Sequence, residues 1–135
     1  MFTVMRLLVL MVFCLVSLAA QVVVANNQVT STSVSDDRLR DILLGRITTW
    51  PDGSAIIIVL LDEPAATGAV RRVTGRDLPQ LIRGWKRLVY AGNGAMPLVL
   101  NSRQGVLDEI LRRPGSLTVL ADVPNDARFT ILSSP

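Results

Sequence analysis

The chain has no histidine, and its one cysteine, Cys14, stands inside an apolar N-terminal run. Without imidazole or a second thiol there is no donor set for a transition-metal site, no base for a serine or cysteine nucleophile and no partner for a disulfide. The serines fall in loops, caps and the N-terminal run. Lys86, the lysine a Ser-Lys dyad would need, belongs to a basic outer face. The carboxylates of Asp62 and Glu63 are neighbours in sequence, so their side chains diverge instead of flanking a bond. This inventory holds no catalytic residue, metal ligand or cofactor motif, and points away from an enzyme.

Aromatic residues make up only 4% of the chain while half of it is apolar, so the core is aliphatic. The same scarcity removes the stacking platforms of nucleic-acid readers, and no recognition helix is visible. The formal charge of +3 includes Arg6, which belongs to the leader described next; the bias left in the mature domain is too weak to imply a nucleic-acid partner. At 135 residues the chain is one domain by size.

Residues 1–20 read as a secretory signal peptide: Arg6 in the n-region, Leu7 to Leu18 as the h-region, and small residues around Ala19 and Ala20 for cleavage. Cleavage after Ala25 would destroy Gln21 to Ala25, a valine-rich run that reads as the opening strand. The expectation is therefore a leader over 1–20 and a periplasmic domain over 21–135, with Cys14 lost in processing.

The stretch from Arg38 to Gly53 organises the domain. Leu39, Ile42 and Leu43 share one helical face; Ser35 caps the helix, and Asp36 and Asp37 complement its dipole. Gly45 closes it, and a Pro-Asp-Gly turn delivers an apolar strand over Ala55 to Leu61, covered on both faces. Asp77 caps a later helix with Pro79 in its first turn, and Leu78, Leu81, Ile82, Trp85 and Leu88 form its core stripe. A glycine turn follows Tyr90, then a strand over 96–100. A helix capped by Asn101 and Ser102 faces inward with Val106, Leu107, Ile110 and Leu111, and strands over 117–121 and 129–132 end the domain. The order of elements is α/β.

Ile42-Leu43-Leu44-Gly45-Arg46, Trp50 and Asp52-Gly53 resemble the signature "IFLGK, then W, then DG" of the periplasmic phosphate-binding proteins of ABC transporters and their small single-lobe relatives. Trp85 followed by Val89 to Gly94 is similar to that family's "W, then FTGxG", and Pro114 to Leu117 to its "PGAIGY". The resemblance implies a single periplasmic-binding-protein-like lobe of type II, a mixed sheet flanked by helices. It also implies phosphate or another oxyanion as ligand and a membrane transporter or other envelope protein as partner. The family's transport proteins close two lobes over the ligand, and the motifs matched here all resemble the second.

In open α/β folds ligands gather where a strand's carboxyl end meets a helix N-terminus. Here that is the loop after Leu61, with a helix expected to begin near Ala66 or Thr67. The candidate anion site is accordingly the backbone N–H groups of Thr67, Gly68 and Ala69, assisted by Arg71 or Arg72. In the full-length phosphate binders the corresponding loop carries an arginine and a Ser-Gly-Thr run; only Thr67-Gly68 matches it, and Asp62 and Glu63 oppose an anion. Arg71, Arg72, Arg76, Arg83, Lys86 and Arg87 form a basic face with Asp77 as its lone acid, open to two readings: a solvated surface, or attraction for an anionic ligand or acidic partner. Two functions remain, an oxyanion-binding solute module and an envelope interaction module that kept the fold and lost the ligand.

Overall fold

The computed structural model describes residues 21–134. The expected leader lies outside them. Five strands form one sheet: β1 (Val22–Ala25), β2 (Ile57–Leu61), β3 (Leu98–Leu100), β4 (Ser116–Leu120) and β5 (Thr130–Leu132). Four helices accompany it: α1 (Asp36–Leu43), α2 (Pro64–Thr74), α3 (Leu78–Tyr90) and α4 (Arg103–Arg112).

The strand order is β3-β2-β4-β1-β5, with β2 parallel to β3 and β4, and β1 antiparallel to β4 and β5. The parallel pairs require crossovers. The segment carrying α2 and α3 joins β2 to β3, and α4 joins β3 to β4. Helices therefore cover both faces, which is why the central β4 is buried at every position. On one face Leu39, Ile42 and Leu43 of α1, Val70 and Val73 of α2, and Leu81 and Trp85 of α3 pack over Ile58, Leu60, Leu117 and Val119. On the other, Val106 and Ile110 of α4 pack over Val24, Val59, Leu61 and Leu120. The result is an α/β domain with a mixed sheet between helices.

The organising stretch works through close approaches. Ser35 accepts from the Arg38 N–H as the cap of α1, and Gly45 beyond its end has φ +78°. A side chain at Gly45 would collide with Leu88, so its absence lets α3 lie against the end of α1. Trp50 is buried and donates to the Gly115 carbonyl at 2.9 Å. The turn between Trp50 and Gly53 is closed by Gly53 N–H to the Trp50 carbonyl, with the Asp52 carboxylate accepting from the N–H and hydroxyl of Ser54.

Some boundaries differ from the sequence expectation. Ala55 belongs to a bridge with Thr49 that completes this turn, so β2 starts at Ile57. Met96 and Pro97 stay outside β3, since proline has no N–H for a ladder. Asn26, in the loop directly after β1, is buried: its amide donates to the carbonyls of Ile110 and Leu111 and so satisfies the end of α4. The largest shift concerns α2, which begins at Pro64.

Candidate functional site

The carboxyl end of β2 runs straight into α2. Asp62 N–H donates to the Leu100 carbonyl at 2.7 Å, carrying the β2–β3 pairing one residue past the strands. Glu63 then serves as N-cap with extended backbone, and its side chain caps nothing. Pro64 occupies the first helical position, where a missing N–H costs nothing. Among the described residues the N–H groups of Ala65 and Ala66 have no hydrogen-bond partner in this first turn.

Starting the helix at Pro64 changes which groups face a ligand. The Thr67 N–H donates to the Glu63 carbonyl at 2.9 Å, so it is not free. Its hydroxyl turns back to the carbonyls of Glu63 and Pro64, at 3.1 and 3.3 Å. Gly68 and Ala69 lie further inside α2, beyond the turn whose N–H groups lack helical partners. Ala69 is fully buried in the core. The open donors therefore lie two to three residues earlier than the sequence suggested, and Pro64 was the signal that could have placed them.

Of the expected residues, Thr67, Gly68 and Arg71 come together. They share a face of α2 at the spacing of Pro64, Thr67, Gly68 and Arg71, and line a shallow depression of about 420 Å³ with Asp62, Asp77, Leu78 and Pro79. Arg72 does not line it; its guanidinium lies over the exposed side of Gly68, 3.7 Å from where a Cβ would be. Asp77 is engaged as the N-cap of α3 in a reciprocal box, accepting from the Gln80 N–H while Gln80 accepts from the Asp77 N–H. Asp62 is exposed. The depression thus sets one guanidinium, that of Arg71, against two carboxylates, while Ala65 and Ala66, whose N–H groups are open, are not on its wall.

A second concentration of charge lies on the outer face of α3. Arg76, Arg83 and Arg87 line a depression of about 260 Å³ with Gly75, Gln80 and Gly84. The sequence reading had these arginines as part of a basic face and did not single them out. What brings Arg76 to α3 is Gly84, whose missing side chain leaves room for the Arg76 guanidinium.

Neither protein-family models nor the sequences of curated proteins match this chain. Its structure is similar to the crystal structure of an ABC-type phosphate transport receptor from Vibrio cholerae, with a TM-score of 0.53 and 14% sequence identity. The similarity covers 84% of this chain and 45% of the receptor, so the domain spans about half the length of that protein. At this identity the likeness establishes a shared fold.

Proposed function

We propose that this domain is an exported, periplasmic solute-binding module of the phosphate-receptor type, reduced to one lobe, that presents half of an oxyanion site to an envelope transporter or a second lobe. The observation that carries the reading is the uncapped N-terminus of α2 at the carboxyl end of β2, on the helix whose Pro64, Thr67, Gly68 and Arg71 line the neighbouring depression. The fold shared with a phosphate transport receptor and the family-like motifs in their family order support it.

The ligand would be phosphate or another oxyanion. Its contacts are the N–H groups of Ala65 and Ala66 and the guanidinium of Arg71, with the Thr67–Gly68 surface as the wall; Ala69 supports the wall from the core and Arg72 adds positive potential from outside. A helix N-terminus at an exposed site is worth about 0.3 to 1 kcal/mol, and Asp62 and Asp77 oppose it. Specific small-molecule sites enclose most of their ligand, which this open surface does not. Affinity near millimolar follows, corresponding to about 4 kcal/mol. At ten times such a dissociation constant, phosphate should stabilise the exported protein by about 1.4 kcal/mol, read as a rise in melting temperature. Arg71→Gln should abolish the rise. An equal rise in the variant would remove Arg71 from the site.

A second reading, an accessory envelope module that no longer binds a ligand, is favoured by the Asp62 and Asp77 carboxylates at the depression. Its outcome in the same experiment is no phosphate effect in the parent protein.

A further inference from the structure

The outer face of α3 carries positive charge that the fold does not use. Arg83, Arg87 and Tyr90 follow one another at helical spacing on the side opposite the buried Leu81 and Trp85, and Lys86 flanks them. Arg76 joins from the loop before the helix. The ion pairs of the described residues are Arg46–Asp41, Arg103–Asp122, Arg112–Glu109, Arg113–Glu109 and Arg128–Asp126. Arg76, Arg83, Lys86 and Arg87 are in none of them. Three guanidinium groups thus line one open depression with no acidic residue on its wall.

We propose that this face docks on an anionic phospholipid surface, with a headgroup phosphate held among Arg76, Arg83 and Arg87. Guanidinium groups match phosphate oxygens with paired donors, and three of them converge here. The site is an open shelf on a convex helix face, suited to a group presented from a plane and poorly suited to enclosing a free anion. Positive charge continues past the depression to Lys86, which with Arg83 lines a neighbouring hollow where Asp62 is the one acid. Tyr90, at 91% the most exposed of the large hydrophobic side chains among the described residues, stands at the end of the same face. A tyrosine there has the amphipathic ring that settles at the headgroup level of a bilayer.

Gly84 ties this arrangement to the sequence. Glycine is a poor helix former, yet it occupies the middle of α3. A Cβ there would stand 3.1 Å from the Arg76 guanidinium, so that group lies close against the helix at this position.

The site is independent of the oxyanion reading at α2, and Arg71→Gln separates the two: it removes the phosphate response and leaves membrane binding. The test is co-sedimentation of the exported protein with vesicles of phosphatidylcholine alone or mixed with phosphatidylglycerol. The parent protein should bind only the anionic vesicles, and raising the salt to about 0.5 M should release it. Each lost arginine should weaken binding about fivefold, so that the triple variant Arg76→Gln, Arg83→Gln, Arg87→Gln loses on the order of a hundredfold. The triple Arg46→Gln, Arg112→Gln, Arg128→Gln makes the same change in net charge on other surfaces and should bind as the parent does. Equal loss in both triples would overturn the proposal, as would binding to neutral vesicles or none to anionic ones. Displacement by inorganic phosphate at constant ionic strength would also overturn it, in favour of a free oxyanion.

Discussion

The indole N–H of Trp85, on α3, donates to the main-chain carbonyl of Leu43, at the last position of α1, at 2.8 Å. Gly45 makes that approach possible, and the two residues that carry the first two family-like motifs thereby meet inside the core. Trp50 repeats the device with Gly115, joining the first motif to the third. The signature is thus a set of paired close contacts that hold helices and turns together, and none of its residues lies in the depression at α2.

Trp85→Phe should keep most of the packing and strand the Leu43 carbonyl, a buried acceptor whose loss of partner costs about 1 to 3 kcal/mol. Trp85→Ala should cost about 3 to 5 kcal/mol. Urea denaturation checks both. A Phe variant as stable as the parent would show that the hydrogen bond contributes nothing.

Two glycines with similar backbone should respond differently to alanine. Gly53 has φ +88° with open space around it, so Gly53→Ala should cost only the conformational penalty, about 1 kcal/mol. Gly115 has φ +81°, and a Cβ there would run into the Ala55 carbonyl oxygen. Backbone cannot swing aside as a side-chain tip can, so Gly115→Ala should lower the melting temperature markedly more. Equal effects would contradict the packing of Trp50 against this turn.

Thr118 lies fully buried in β4, and among the described residues its hydroxyl has no partner. Valine has the same shape without the polar atom. Thr118→Val should therefore stabilise the domain by on the order of 1 kcal/mol in a denaturant titration. A loss of stability would mean that the hydroxyl is satisfied in solution.

Acid should destabilise the fold through three carboxylates held below their ordinary range: Asp52 by the Ser54 hydroxyl and N–H, Glu109 chiefly by its bond from Arg113, and Asp126 by its bonds from Arg128. For a depressed carboxylate the stabilisation is complete above its unfolded-state pKa and is lost as pH falls through the folded-state value. Melting temperature should accordingly start to fall below about pH 5, near the unfolded values for Asp and Glu. With no histidine in the chain it should be flat from there to about pH 7. Asp52 is exposed and Glu109 and Asp126 are half-buried, so the effect should shrink in high salt, most of all for Asp52. A step between pH 6 and 7 would contradict this assignment.

Much of the fold was legible because local signals agreed. Ser35, Asp77 and Ser102 cap the helices they were expected to cap, and the apolar periodicities of α1, α3 and α4 point to the faces that are buried. The misreadings arose where a non-local partner decided the outcome. The burial of Asn26 was not legible, because its acceptors, the carbonyls closing α4, lie 84 and 85 residues away. Ala55 looked like strand because its apolar neighbours continue it, whereas its partner is the turn at Thr49. At α2 the signal was local and was passed over: Pro64 fits the first helical position, and starting there moves the free donors from Thr67, Gly68 and Ala69 to Ala65 and Ala66. The convergence of Arg76, Arg83 and Arg87 could not be read from spacing, since Arg76 joins the face only through the room Gly84 leaves.

The most direct test of the half-site at α2 is a phosphate titration of the protein followed by backbone amide shifts. The result expected is saturation near a millimolar concentration, with the largest shifts at Ala65, Ala66 and Thr67 and a smaller one at Arg71. Shifts confined to Arg76, Arg83 and Arg87, or none anywhere up to tens of millimolar phosphate, would contradict it.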